Sequence, residues 1–295
     1  MDEHEWLAER FEEHRAHLRS VAYRMLGSVT EADDAVQDTW LRFSRAGVDD
    51  VENLRGWMTT IVARVCMNML RSRKARPEDP MGVHLPDPVV SPDGDIGPEQ
   101  AALLADSVSL ALIVVLDTLT PAERLAFVLH DMFDLPFDEI APMVSRSSAA
   151  TRQLASRARR RVKDVGAPAP DPDLRAQRGV VDAFFAAARG GDFDALIELL
   201  DPETVMRTSA GAARPDDSVV VHGAAAVARR AMMFAQPAAV LRPALVNGAA
   251  GVVVVVGGRP VSVMGFTVAN GSIAAIDSYS DPERLSRLDP AFLDA

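Results

Sequence analysis

Two proline clusters divide the 295-residue chain. Six prolines fall between Pro77 and Pro98, together with several acidic residues and no lysine or arginine, and three more fall between Gly166 and Pro172. Because proline fixes φ and removes a backbone donor, neither stretch supports a regular helix, and we expect extended linkers at 77–98 and 165–173. Three folded blocks are therefore predicted, over residues 1–76, 99–164 and 174–295.

Composition limits the class of protein. Hydrophobic residues make up 48% of the chain and charged residues 25%, which is typical of domains with real cores. The single cysteine, Cys66, excludes an intramolecular disulfide, and the longest aliphatic run, 252–256, is far shorter than the roughly 20 residues that span a bilayer. The acidic N-terminal segment does not resemble a signal peptide. We therefore expect a soluble, cytoplasmic protein that does not act at a membrane.

The first two blocks have helical patterns. Thr30 and Asp33 resemble a capping box at the start of an amphipathic helix, and 54–73 has apolar residues at helical spacing. In the second block, Thr120-Pro121-Ala122-Glu123 combines an N-cap, a proline at the first helical position and a capping glutamate. Helical segments over 137–143 and 148–162, joined by a short turn, follow the helix-turn-helix pattern, and we expect Pro142 to kink the first of them.

Basic residues are concentrated in two short segments, although the net charge is −11. Residues 64–76 contain five basic side chains and no acidic one, and residues 145–163 contain seven and no acidic one. Local patches, rather than the total charge, determine whether a surface attracts phosphate. The two segments are therefore candidate DNA contacts.

The third block changes from helices to strands. Amphipathic helices are predicted over 174–189 and 193–200, followed by β-branched strands at 219–221, 252–256, 261–268 and 273–280. This order is typical of an α+β domain with a curved antiparallel sheet. The fold class predicted for the whole chain is multidomain: two all-α domains followed by an α+β domain.

The motifs resemble those of a known family. Residues 31–42, with the sequence EADDAVQDTWLR, are similar to region 2 of the extracytoplasmic-function sigma factors of bacterial RNA polymerase, and 119–124 with 151–160 are similar to their region 4. The block over 174–295 resembles the SnoaL-like, nuclear-transport-factor-2-like cone of a subgroup with a fused C-terminal domain. The resemblance implies binding to core RNA polymerase, through its β′ clamp helices and β flap, and to promoter DNA.

The polymerase-binding residues that the resemblance implies lie in the first motif. On charge alone, this helix face is more typical of a solvated surface than of a binding site. The flanking motifs favour a docking face, where charge complementarity orients a basic partner. The predicted polymerase contacts are Asp33, Asp34, Gln37, Asp38, Leu41 and Arg42.

Two sets of DNA-contacting residues are predicted, one for each promoter element. Arginines contact phosphates, and an asparagine amide can pair with a base edge. The set expected at the minus-ten element is Asn53, Arg55, Arg64, Asn68, Arg71, Arg73 and Lys74. The set expected at the minus-thirty-five element is Arg146, Ser147, Ser148, Thr151, Arg152 and Arg157. Trp57 could stack on an unpaired base, but its spacing with Ile61 favours a core position.

The fused subgroup has further signatures, which suggest contacts that regulate activity. One is HLPDP at 84–88 in the linker, and another is DPERL at 281–285, after the last predicted strand. A third signature, expected near 209–214, is poorly preserved. The predicted regulatory contacts are Leu85, Pro86, Asp87, Pro88, Asp281, Pro282, Arg284 and Leu285.

Two other classes of function stay open at this point. A one-component regulator would bind operator DNA without polymerase and would need neither the acidic helix nor a second basic patch. An enzyme would need a pair of polar groups in the cone, where the candidates are His222, Asp277 and Tyr279 and no acid/base pair is evident. Scattered histidines, one cysteine and no phosphate-binding glycine loop predict no metal and no cofactor. A small-molecule ligand in the apolar cone is left open.

Overall fold

A computed structural model of the chain describes residues 3–45, 53–75, 85–92, 110–165, 170–211, 214–288 and 292. These residues fall into two compact units. The first contains the helices before residue 166, and the second contains a segment of the proline-rich linker together with the chain after residue 167. Within the described ranges, no helix is both long enough and apolar enough to cross a bilayer.

Three helices form the first half of the first unit: α1 (Glu3–Leu26), α2 (Val29–Phe43) and α3 (Leu54–Ala75). They pack pairwise around buried aliphatic residues. At one end Phe43 contacts the rings of Phe11, Trp40 and Trp57 at centroid distances of 5.7–6.0 Å. Trp57 is therefore a packing residue, as its spacing indicated. The cap of α2 differs from the prediction, because Ser28 accepts the Glu31 N–H while Asp33 binds Arg19.

Four α-helices lie in the described residues of the second half of this unit: α4 (Leu110–Asp117), α5 (Pro121–Phe127), α6 (Phe137–Ile140) and α7 (Ser148–Val165). A π-helical turn, Val128–Met132, extends α5. The predicted capping box at Thr120 and Glu123 is present. The prediction that Pro142 kinks a helix is wrong, because α6 ends at Ile140 and Pro142 lies in the following turn. That turn has Ser145 in the left-handed region, at φ 54°.

The two halves of this unit contact each other through a buried arginine. The Arg124 guanidinium, 3% exposed, donates from Nε to the Arg24 carbonyl at 3.1 Å and pairs with Asp117. Arg24 lies over the Phe133 ring at 4.9 Å, and the His17 ring meets the same ring edge-on at 5.3 Å. Helices α1 and α3 are thereby joined to α5 and to the turn after it.

The described residues of the second unit include four α-helices and seven strands. The helices are α8 (Leu174–Gly190), α9 (Phe193–Leu199), α10 (Ala224–Phe234) and α11 (Pro282–Leu285). The strands are β1 (Val90–Pro92), β2 (Leu200–Ser209), β3 (Val219–His222), β4 (Val240–Val246), β5 (Ala249–Val256), β6 (Arg259–Ala269) and β7 (Ser272–Tyr279). They form one sheet in the order β1-β4-β5-β6-β7-β2-β3, antiparallel except for the β2–β7 pair. Helices followed by an antiparallel sheet confirm the predicted α+β class.

The core of this unit lies between α8–α10 and one face of the sheet. Phe184, Leu196, Val227, Phe266 and Ile276 are buried there. Side chains of successive strand residues point to opposite faces of a sheet. Since Met206 and Ile276 lie in the core, the even-numbered residues near them on β2 and β7 face the helices. Residues with odd numbers on these two strands, from Val205 and Ala275 onward, face the other side.

Candidate nucleic-acid and protein interfaces

The outer face of α2 presents an acidic surface with an apolar centre. Ala32, Ala35, Val36 and Phe43 face the core, which leaves the six predicted polymerase contacts exposed or half-exposed on the opposite side. Leu41 is 45% exposed and adds an apolar side chain to this charged surface. Arg42 forms an ion pair with Asp38 at 2.9 Å, and Arg19 forms one with Asp33 at 2.5 Å.

A basic stripe runs along α3. Arg64, Asn68 and Arg71 are exposed at spacings of four and three residues, so they share one face of the helix. Arg55 is also exposed, near the start of the helix, and its guanidinium lies 3.1 Å from His17 Nδ1. Asn53 caps the start of α3, because its side-chain oxygen accepts the Gly56 N–H at 2.9 Å.

Arg73 lies on a different face of α3 from this stripe. It lies nine residues after Arg64, half a turn away from that face at 100° per residue. Its guanidinium pairs with Glu31 and approaches the Leu26 carbonyl at 3.4 Å, between α3 and the other two helices. Arg73 therefore holds the three helices together. The side chain of Lys74 lies outside the described residues.

The predicted minus-thirty-five residues divide into exposed and occupied groups. Arg146, Arg152 and Arg157 are exposed. The Ser147 hydroxyl accepts the Ala150 N–H at 3.3 Å, and the Ser148 hydroxyl donates to Asp138. Both serines therefore stabilise the start of α7.

Thr151 is fully buried, and its hydroxyl donates to the Ser147 carbonyl at 3.0 Å. A buried side chain cannot reach a base edge, so the prediction that Thr151 contacts DNA is wrong. Its position on α7, between Ala150 and Arg152, belongs to the face that packs on the rest of the unit.

Three arginines of α7 form ion pairs with carboxylates of neighbouring elements. Glu123 pairs with Arg157 at 3.2 Å and with Arg161 at 3.1 Å, and Asp131 pairs with Arg159 at 2.6 Å. Burial alone would raise the pKa of Glu123, but hydrogen bonds from Thr120 and the charges of Arg161 and Arg157 outweigh it and lower the pKa. The capping glutamate of α5 is therefore ionised and fixes one edge of α7.

The structure exposes two further polar residues on α7 that the sequence interpretation missed. Gln153 and Ser156 are exposed, with Gln153 four residues after Ala149, Ser156 three residues after Gln153 and Arg160 four residues after Ser156. Counting at 100° per residue from the buried positions Thr151, Leu154 and Ala158 would have placed both on the outer face. The interpretation followed arginines and the N-terminal turn of the helix instead.

The linker and tail signatures meet within the second unit. Leu85 is fully buried, and Arg284 donates from Nη1 to its carbonyl at 3.0 Å and pairs with Asp87 at 3.2 Å. Asp281 caps α11 by accepting the Glu283 N–H. Beyond these contacts, Val89 exchanges two hydrogen bonds with Asn247, at 2.9 and 2.8 Å, and β1 pairs with β4.

The poorly preserved third signature also contributes to this contact. Arg214 donates to the Ser280 carbonyl at 2.7 Å, next to the tail signature. Gly211, at φ 80°, approaches Asp281 so closely that a Cβ atom would overlap the carboxylate. A glycine is therefore required at this position.

Comparisons with known proteins agree with the geometry. Residues 10–76 match the family described as Sigma-70 region 2, and residues 109–162 match Sigma-70, region 4. The chain is 35% identical to the "Probable ECF RNA polymerase sigma factor SigI" of Mycobacterium tuberculosis (strain ATCC 25618 / H37Rv), over 98% of this chain and 97% of the relative. It belongs to the ECF sigma factor family.

Another member has a solved structure with the same architecture. The "ECF RNA polymerase sigma factor SigJ" of Mycobacterium tuberculosis (strain ATCC 25618 / H37Rv) is 36% identical over 94% of this chain and 92% of its own. The crystal structure of the SigJ protein of Mycobacterium tuberculosis superposes with a TM-score of 0.75 at 34% identity, and covers 95% of this chain and 98% of that one. The likeness extends through the C-terminal unit of this sigma factor.

Two of the polar candidates in the C-terminal unit, Asp277 and His222, lie apart on the sheet. Asp277 is buried on the face of the sheet opposite the helices and pairs with Arg207 at 3.0 Å. Burial raises the pKa of Asp277, against the effect of the Arg207 charge. His222 is exposed on β3, which is separated from β7 by β2. It lies two strand spacings and two residues from Asp277, or about 12 Å by strand geometry. Among the described residues, no cluster of histidine, cysteine and carboxylate side chains could hold a metal ion.

Proposed function

We propose that this sigma factor binds core RNA polymerase through α2 and directs it to promoters with two DNA-contacting surfaces, one on α3 and one on α7. The observation that carries the proposal is that the first unit presents three distinct surfaces: an acidic one with an exposed leucine, and two basic ones on separate helices. A one-component regulator needs only one of the basic surfaces. A factor that works with core polymerase also acts in the cytoplasm.

The α2 surface has the chemistry of a protein contact. Exposed carboxylates at Asp34 and Asp38 attract and orient a basic partner, and complementary charge mainly raises the association rate. Leu41 supplies apolar area that only a protein partner would bury. A basic coiled coil, such as the clamp helices of the β′ subunit, fits this combination.

The α3 surface has the chemistry of the minus-ten contact. Arg64 and Arg71 lie seven residues apart on one face, about 10 Å along the axis, so they can contact successive phosphates. Asn68 lies between them with a paired donor and acceptor for a base edge. Reading and opening of the minus-ten element is therefore assigned to α3, and reading of the minus-thirty-five element to α7.

The C-terminal unit acts through the linker. Because β1 adds to the sheet edge beside β4 and Arg284 binds Leu85 and Asp87, part of the connection between regions 2 and 4 is held in place. A fused domain makes such a contact at high effective concentration without a large interface. We propose that this contact sets how far the two DNA-contacting regions can separate, and that the unit regulates rather than catalyses.

Run-off transcription with purified core polymerase on a promoter library tests the proposal. The full chain should initiate selectively, and a variant with Asp34→Lys and Leu41→Ala should lose at least tenfold in polymerase affinity. Glu12→Lys, a charge reversal at an exposed position on α1, is the matched control and should initiate normally. If the full chain binds duplex DNA alone and never initiates with polymerase, the one-component regulator is the better assignment.

A further inference from the structure

The outer face of α7 is neutral along its centre from Ala149 to Ser156, with arginines along both edges and Arg160 following on the same line. At 100° per residue, Ala149, Gln153, Ser156 and Arg160 fall within about 60° of one line along the helix. All are exposed or half-exposed. The buried residues Thr151, Leu154 and Ala158 lie on the opposite side. A helix that enters the major groove presents the middle of its exposed face, in its first turns, to the base edges.

The arginines at the two edges are directed away from this line. Arg157 and Arg161 are drawn to Glu123 on one side. On the other side Arg159 is drawn to Asp131, and the Arg152 guanidinium lies over the Phe137 ring at 5.3 Å. Cations held at both edges of a groove-facing helix are in place for the two phosphate backbones, and they fix register without reading sequence.

Gln153 is the side chain with base-reading chemistry at the centre. Its amide has one acceptor and one donor group in a plane, which match the N6 donor and N7 acceptor that adenine presents in the major groove. Its neighbours on the same line within one turn, Ala149 and Ser156, are small and leave a base pair room to approach. An arginine there would instead favour guanine.

We infer that Gln153 selects an adenine in the minus-thirty-five element by a bidentate contact to N6 and N7. The inference rests on the proposed function, because it requires α7 to bind that element. It names the side chain that determines specificity, whereas the arginines supply affinity. Since Gln153 is exposed and lies on a helix anchored by three buried residues, replacing it should leave the fold intact.

The test uses the full chain with core polymerase and a library randomised across the minus-thirty-five element. Gln153→Ala should lose the preference for adenine at a single position, by about 5- to 150-fold, with little change at the others. Arg159→Ala is the matched control on the same helix, and it should weaken all sequences to a similar degree and lower the salt dependence. Gln153→Arg should shift the preference at the same position to guanine.

A base analogue tests the contact itself. An adenine at the selected position that carries carbon in place of N7 keeps the N6 donor and loses the acceptor. It should weaken initiation by the unmodified protein and have no effect on Gln153→Ala. The inference is overturned if Gln153→Ala initiates with unchanged preference at every position, or if the lost preference is for a base other than adenine. Failure of the unmodified protein to initiate on any sequence would instead refute the proposed function.

Discussion

At the scale of single residues, the Glu123 carboxylate both caps a helix and pairs with arginines of another helix. It closes the capping box of α5 with Thr120, and it pairs with Arg157 and Arg161 on α7. Glu123→Gln keeps the shape and removes the charge, so the cap weakens and the two arginines lose their partner. Because the arginines are half-exposed, most of the expected loss of about 1–2 kcal/mol in the free energy of unfolding comes from the cap.

The pKa of Glu123 gives this prediction a pH dependence. A lowered folded-state pKa stabilises the fold fully above the ordinary value of 4.5, and this stabilisation is lost as the pH falls through the lowered pKa. The difference between the two proteins should therefore be constant near neutral pH and shrink in acid. Urea unfolding followed by tryptophan fluorescence measures it, because the three tryptophans lie in α1–α3 of this unit. Glu12→Gln, on an exposed face, should show no difference, and equal stability of Glu123→Gln at pH 7 would contradict the assignment.

Residue-scale features were predictable where they are local. The Thr120 box depends on four consecutive residues, and it is confirmed. The pairing of Glu123 with arginines 34 and 38 residues later depends on tertiary packing, which no local pattern encodes. Arg73 and Thr151 were assigned to DNA from their positions in motifs that resemble the family, and helical angles relative to neighbouring apolar positions would have separated both from the exposed faces.

At the scale of elements, the linker contains a strand that forms through tertiary contacts and that the local sequence does not predict. Prolines at 86, 88 and 92 led to the prediction of an extended linker, yet Val90–Pro92 pairs with β4 at the edge of the sheet, where a missing N–H is tolerated. Strands β2 and β4 were also missed, since Pro202 and Pro243 interrupt them. The valine-rich strands and the capped helices were recognised because their patterns are strong and local.

Arg284 should control how firmly this linker strand is held. Arg284→Ala removes the donor to the Leu85 carbonyl and the partner of Asp87, so the amides of 87–91 should exchange hydrogen about tenfold faster or more. Hydrogen exchange with mass spectrometry on the full chain measures this change in amide exchange. We also expect the variant to prefer a different spacing between the two promoter elements. Arg287→Ala is the matched control, because Arg287 is exposed in the turn just after the same helix and pairs with Glu283. Unchanged exchange at 87–91 would remove Arg284 from this role.

At the scale of the whole molecule, the first unit is too small to reach both promoter elements in its packed form. Elements at minus ten and minus thirty-five are about 25 base pairs apart, or roughly 85 Å at 3.4 Å per base pair. A compact unit of on the order of 140 residues has a radius of gyration of about 14 Å and a diameter near 40 Å. If α3 and α7 bind the two elements as proposed, we expect the contacts of Arg124 and Phe133 with α1 to open on promoter binding.

This opening can be measured with a pair of dyes. Glu9→Cys on α1 and Lys163→Cys on α7 are exposed attachment sites, while native Cys66 is fully buried and burial raises its thiol pKa, so it should react slowly. Energy transfer should be high for the protein alone and fall when core polymerase and promoter are added. Phe133→Ala removes the ring that contacts Arg24 and His17, so it should lower transfer before polymerase is added and leave the bound value unchanged. Equal transfer in the free and promoter-bound states would contradict the proposed opening of the first unit.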